Sequence, residues 1–226
     1  MQATGGNEEG LVDLSHVIEE GMTTYKGLPG PHLCDFWTRE GTAAQFEDGS
    51  SFQVGRIEMV ANTGTYVDSP FHRYVDGKDL SELPLGSLAN LEAIVVRRPF
   101  EQDLAVDCDA FAGLDVRGKA VLVHTGWDRH WRTEAYLSEH PFLTGAAARA
   151  LVRAGAAFVG IDSHNIDDTR SPTRPVHTLL LGAEIPIGEH MTNLGRLPDS
   201  GFRFSAVPPK IKGMGTFPVR AFATLA

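Results

Sequence analysis

Cysteine is nearly absent from this chain: Cys34 and Cys108 are the two in 226 residues. A small disulfide-stapled scaffold is therefore excluded, and the count fits a reducing cytoplasm. Neither cysteine stands at zinc-finger spacing from the other, which removes a thiolate metal site. No apolar run approaches the roughly 20 residues that span a bilayer. Met1 to Gly10 has no apolar stretch and no basic flank, so it does not read as a secretory leader. Basic surplus is lacking as well: 20 Lys and Arg face 29 Asp and Glu, a formal net charge of −9. Nucleic acid is a poor partner for such a chain, because phosphate binding needs a basic face. The acidity serves surface solubility and does not select the charge of a small substrate. There is no Gly-x-Ser-x-Gly elbow, no internal repeat, no low-complexity tract and no interdomain linker. The resulting expectation is a cytoplasmic protein with a small-molecule substrate and no membrane partner.

What is present suits an ordinary globular protein. Apolar residues make up 42% and charged residues 22%, enough for a full core. Residues 1–10 are Gly-rich and acidic and read as a disordered lead-in, leaving 11–226 as a single domain. Val12–Ile18 suggests a first strand, and Gly21–Pro31 a Gly- and Pro-rich loop. Phe52–Val60 keeps period two and reads as a half-buried strand. Leu83–Leu91 reads as a short helix or turn and Ala93–Arg97 as a strand. The apolar run Ala120–Thr125 suits a strand covered on both faces. Thr144 as N-cap, an Ala-rich middle and Gly155 as C-terminal stop mark a helix. The strand Ala156–Ile161 follows, so Ala120–Ile161 predicts a parallel crossover. Two more strands are expected around Phe202–Val207 and Val219–Thr224. The fold class is mixed α/β with more strand than helix.

Chemistry concentrates in two segments. Asn62-Thr63-Gly64-Thr65-Tyr66-Val67-Asp68-Ser69-Pro70-Phe71-His72 follows a strand, and its glycine and proline stiffen a turn that presents Tyr66, Asp68 and His72. By itself this is as compatible with a polar surface loop as with a site. Pro175–Glu189 brings His177 and, twelve residues later, Glu189 at the end of an apolar run. Histidine and carboxylate together suit zinc, manganese or a similar divalent ion, although for this pair by itself a helix-capping His177 and a solvated Glu189 is the stronger reading. Elsewhere, His164, Asn165, Asp167 and Asp168 lie just past a strand end but read as a solvated loop. His124 reads as a hydrogen-bonded core residue, and His130, His140 and His190 as surface residues. Core packing is the default for Trp37, Trp127 and Trp131.

Taken in order, the segments resemble the metal-dependent cyclase/hydrolase family typified by bacterial kynurenine formamidase. That family's motif runs His-x-Gly-Thr-His-x-Asp-x-Pro-x-His. Gly64, Thr65, Asp68, Pro70 and His72 match it at the right spacing. His177 and Glu189 match its later pair of metal ligands. Asp13-Leu14-Ser15-His16 with Glu20-Gly21-Met22 resembles its opening strand and pocket loop, and Gly160-Ile161-Asp162-Ser163 its strand before the substrate loop. Lys210–Gly215 with Pro218–Ala221 resembles its end. The likeness runs from Val12 to Thr224.

The resemblance implies a swivelling β/β/α domain of mixed sheets with a few flanking helices. It also implies a homodimer or tetramer, with neighbouring subunits closing the pocket, and hydrolysis of a non-peptide amide or lactam. Ring closure by dehydration or lactonisation is the alternative activity, and a non-catalytic ligand-binding paralogue a third. The departures from the motif are equally informative. Asn62 and Tyr66 replace two histidines which, in dinuclear members, hold one metal together with the Asp. Asp68, His177 and Glu189 keep the second site, with Asn62 as a weak extra oxygen, so one divalent metal per chain is expected. Three protein ligands with open positions is the usual form of a catalytic metal site. His72 is then the expected proton carrier, and Tyr66 the expected hydrogen-bond donor to a developing oxyanion.

Overall fold

The computed structural model describes residues 10–225. Of the lead-in expected over residues 1–10, all but Gly10 lies outside the described residues. The strands are β1 (Leu11–Asp13), β2 (His32–Trp37), β3 (Val54–Glu58), β4 (Tyr66–Asp68), β5 (Leu91–Arg97), β6 (Ala105–Val106) and β7 (Ala120–His124), followed by β8 (Phe142–Leu143), β9 (Phe158–Ile161), β10 (Ile187–Glu189), β11 (Phe202–Ser205), β12 (Thr216–Pro218) and β13 (Phe222–Leu225). Among the described residues three α-helices accompany them: α1 (Arg39–Ala43), α2 (Gly145–Ala154) and α3 (Pro175–Gly182).

Nine strands form one mixed sheet in the order β1-β13-β11-β5-β7-β9-β10-β4-β12. Its centre, β5-β7-β9-β10, is parallel, and its two wings are antiparallel. The expected crossover is present: β7 and β9 pair in parallel, with α2 between them. The ends of α2 follow from its sequence. The Thr144 hydroxyl accepts from the Ala147 N–H at 3.1 Å, and Gly155 closes the helix at φ 78°, a conformation costly for any residue with a Cβ.

Because successive strand residues point to opposite faces, the buried run of β7 serves two cores. Val121 and Val123, with Val159 and Ile161, pack under Ala147, Leu151, Val176 and Leu180 of the two longer helices. Ala120 and Leu122 face the other way, against Leu14, Val67, Phe158, Met191 and Phe204. Each fully buried aliphatic side chain contributes roughly 1.5–3 kcal/mol, so this two-sided core fixes the sheet on which the polar residues sit.

Three expectations need correction. Phe52–Val60 is not half-buried: β3 is exposed along its whole length. It pairs only with β2, in a ribbon apart from the main sheet. Its alternation therefore reflects apolar side chains left on the surface, with Phe36, Trp37 and Ile57 among the exposed large apolar residues. Trp37 is accordingly not a core residue. The C-terminal strands Phe202–Ser205 and Phe222–Leu225 were foreseen, but β12 between them was not. It has three residues, one of them Pro218, and it lies at the sheet edge, where a missing N–H is tolerated. The first predicted strand is shorter than Val12–Ile18, ending at Asp13 with a single further bridge from Ser15 to Met191.

Candidate metal centre

Strand register brings four polar side chains onto one face. β4 is flanked by β10 and β12, and Glu189 stands opposite Tyr66 while Thr216 stands opposite Asp68. Tyr66 and Asp68 are two residues apart and so point the same way. Cross-strand partners on one face lie close enough to bond. The Tyr66 hydroxyl donates to Glu189 Oε2 at 2.5 Å, and the Thr216 hydroxyl donates to Asp68 Oδ1. The helix layer covers this same face, and α3 delivers His177. Its Nε2 lies 3.6 Å from Asp68 Oδ2 and 3.6 Å from Glu189 Oε1. The two segments, more than a hundred residues apart in sequence, therefore meet in one place.

His72 approaches from the turn after β4. Its Nδ1 is 2.9 Å from Thr216 Oγ1 and 3.6 Å from Asp68 Oδ1. The turn is held against β12 by the bond from Ser69 N–H to the Gly215 carbonyl, 2.7 Å. A Cβ on Gly215 would come within 2.5 Å of the His72 backbone nitrogen, so this approach requires glycine. Asp68, Glu189 and His177 are buried and His72 is exposed at the rim. Asn62 is half-buried and, among the described residues, makes no side-chain hydrogen bond to the cluster.

The donor set fits a cation. Asp68, His72 and His177 each offer one ligand atom within 4.8 Å of the others. Asp68 Oδ2 is buried and has no hydrogen-bond partner among the described residues, an arrangement that is costly unless a positive charge satisfies it. Burial by itself lowers the His177 pKa, yet the bond to Asp167 and the nearby charges of Asp68 and Glu189 push it up to about 10. Burial raises Glu189 above the usual carboxylate range against the pull of His177. A proton on this pair holds the place that suits a divalent ion. Tyr66 is held far above the ordinary phenol range by burial and then by the Glu189, Tyr25 and Asp68 charges. It is a neutral donor to Glu189, so its hydroxyl is not free toward a substrate.

Sequence reasoning missed two members of the site. Asp167, read as solvated, is fully buried, as are its neighbours His164 and Asn165, with Asp168 at the margin. Asp167 Oδ2 lies 2.7 Å from His177 Nδ1. The available signal was its place just past the end of β9, where α/β proteins assemble ligand sites. Thr216 carried no signal, since its strand was not foreseen. His140 and His190, read as surface residues, are also buried. His124 is half-buried rather than enclosed, with Nδ1 3.1 Å from Arg97.

Beside Tyr66 lies a second wall of aromatic and imidazole rings. His16 stacks on Trp131 with centroids 4.0 Å apart, and His190 lies against Tyr66, Tyr25 and Tyr136. Burial lowers His16 to about 4 and His164 to about 3, and it holds His190 well below the usual imidazole range. The wall is therefore uncharged at neutral pH. His16 Nε2, His164 Nδ1 and His190 Nε2 have no partner among the described residues.

A buried carboxylate–imidazole cluster at the edge of a mixed α/β sheet is the layout of a metal-dependent hydrolase centre. The chain belongs to the Cyclase family, whose profile matches residues 12–168. Two relatives named kynurenine formamidase align along nearly all of it. The protein of Salinibacter ruber is 29% identical over 219 residues, covering 93% of this chain and 95% of its own. That of Geobacillus thermodenitrificans is 26% identical over 212 residues, with the same coverage. Among solved structures, a potential metal-dependent hydrolase with cyclase activity superposes with a TM-score of 0.76 at 26% identity, covering 94% of this chain and 96% of that one. An isatin hydrolase bound to thioisatinate superposes with a TM-score of 0.81 at 22% identity, covering 95% and 92%, a likeness of fold. No helix among the described residues is long and apolar enough to cross a membrane.

Proposed function

We propose that this chain is a metal-dependent hydrolase of a small non-peptide amide, of the arylformamidase kind. The observation that carries the reading is the buried, unpartnered Asp68 Oδ2 facing His177 Nε2 at 3.6 Å, in a family whose relatives here are named kynurenine formamidase. Asp68, His177 and Glu189 would hold one divalent ion, zinc or manganese, with Asn62 at most a weak neutral oxygen beside it; His72, the third donor of the close group, is assigned to proton transfer because its Nδ1 already meets Thr216 Oγ1 at 2.9 Å. Such an ion polarises a carbonyl and lowers the pKa of water.

The chain's own residues supply the rest. The single hydroxyl proton of Thr216 goes to Asp68, which as a carboxylate can only accept. Thr216 Oγ1 must then accept from His72 Nδ1–H. This leaves His72 Nε2 with its lone pair free, so His72 takes a proton from attacking water and returns it to the leaving amine. Tyr66 fixes Glu189 rather than binding an oxyanion. Trp131, Tyr25 and Tyr136, with the neutral imidazoles, form a wall suited to an uncharged aryl group. The exposed apolar ribbon β2–β3 suits a second copy of the chain, in keeping with a homo-oligomer. The cytoplasm is the compartment proposed.

The test is reconstitution with Zn2+ or Mn2+ followed by assay of N-formyl arylamines and lactams for release of amine and acid. Hydrolysis dependent on one equivalent of metal is expected. One bound equivalent with no hydrolysis across the panel overturns the reading.

A further inference from the structure

The structure assigns a second role at this centre: we propose that Asp167 is a positioning residue that fixes the tautomer and ring orientation of His177, so that Nε2 is the atom offered to the metal. The inference rests on the proposed metal centre and concerns how this chain prepares it. Asp167 is completely buried. Its Oδ1 accepts the Val176 N–H at 2.8 Å, and its Oδ2 accepts the His177 backbone N–H at 3.0 Å and sits 2.7 Å from His177 Nδ1. One carboxylate therefore binds the backbone and the ring of the same histidine. Asp167 is itself held, its N–H donating to Asn165 Oδ1 at 2.9 Å.

The consequences follow from donor and acceptor chemistry. A carboxylate can only accept, so Nδ1 must carry hydrogen. The other ring nitrogen is then free to ligate, and it points between Asp68 Oδ2 and Glu189 Oε1, each 3.6 Å away. A flipped ring would put a carbon where Nδ1 meets Oδ2 and lose that bond, so the buried carboxylate favours one ring orientation. Metal-ligating histidines are commonly held through the other nitrogen in this way, and loss of the partner typically costs about 10–100-fold in metal affinity. The fold supplies both halves: the turn after β9 brings Asp167, and Pro175 at the first position of α3 leaves the next two backbone N–H groups to meet it.

Asp167→Asn separates positioning from general support. Its amide has one acceptor oxygen where the carboxylate has two, so its NH2 must face either the Val176 N–H or the His177 N–H and Nδ1. The first orientation leaves Nδ1–H a neutral acceptor in place of an anion, and the second drives hydrogen onto Nε2, which cannot ligate. The expected result is a Zn2+ affinity about 10–100-fold weaker, by competition with a chromophoric chelator, in a variant shown to be folded by circular dichroism. Affinity within twofold of the wild type overturns the proposal. A measurement on the zinc-loaded wild type needs no variant. 15N–1H correlation of the His177 ring should show hydrogen on Nδ1 and a metal-shifted Nε2, and the reverse assignment also overturns it. If the wild type binds no Zn2+ at all, the metal centre fails first, and the two failures are told apart.

Discussion

At the residue scale the proposed mechanism divides the centre into groups that hold a metal and groups that move a proton, and single substitutions should separate them. His177→Ala is expected to abolish metal binding and turnover together. His72→Ala is expected to keep the metal and the fold while the rate falls by about 10²–10⁴-fold. Metal content by mass spectrometry beside steady-state assays checks both, and a fully active His72→Ala removes the proton-transfer role. Thr216→Val deletes the hydroxyl between Asp68 and His72, so its turnover should fall with metal retained. The pH dependence of loading has a definite sign. In the metal-free chain His177 keeps its proton up to about pH 10, and Glu189 also holds one more readily than usual. A metal must displace these protons, so apparent affinity should rise with pH between 6.5 and 8.5, by up to about tenfold per unit for each proton released. Chelator competition at three pH values measures this, and an affinity independent of pH contradicts the assigned ligands. Much of this centre was legible in the sequence, because Asp68, His72, His177 and Glu189 match a spaced motif. Asp167 was not, because nothing local distinguishes an aspartate that caps a distant helix from one that faces water. Tyr66 was legible as a replacement, but its hydroxyl's partner was set by the pairing of β4 with β10.

At the scale of elements, what reads from sequence is what local chemistry decides. The cap at Thr144, the stop at Gly155 and the doubly buried β7 follow from propensity and periodicity. The short strands β4, β10 and β12 do not, because three residues carry too little pattern and only the sheet gives them partners. Yet these three bear the centre. The closeness of β12 to the His72 turn gives a direct test. Gly215→Ala places a methyl group against the His72 backbone, and overpacking of this kind costs typically 1–3 kcal/mol. The expected outcome is a lower melting temperature together with slower turnover, since His72 is the residue displaced. In α3, Leu180→Ala should cost about 2–5 kcal/mol through its cavity and loosen the platform under His177. Denaturant titration gives the first number, and metal affinity the second.

The whole molecule sets a two-sided core and a polar centre beside an outlying ribbon that shares none of that core. Its apolar alternation misled the sequence reading because periodicity reports a face, and cannot say whether the chain itself covers that face. Metal should stabilise the whole: with ion at a hundred times its dissociation constant, mass action adds about 2.7 kcal/mol. Calorimetry with and without a chelator should resolve one such increment, corresponding to one equivalent per chain. The ribbon also gives the protein an optical property. Trp127 is buried and Trp131 half-buried, whereas Trp37, on the ribbon, is 51% exposed. One of the three indoles in the sequence thus sits in water at the place proposed for contact between copies. Its emission should be red and readily quenched by iodide in the dilute single chain, and should shift to the blue as concentration rises. On the proposed contact between copies, Trp37 is thus a fluorescent gauge of assembly, readable without a label.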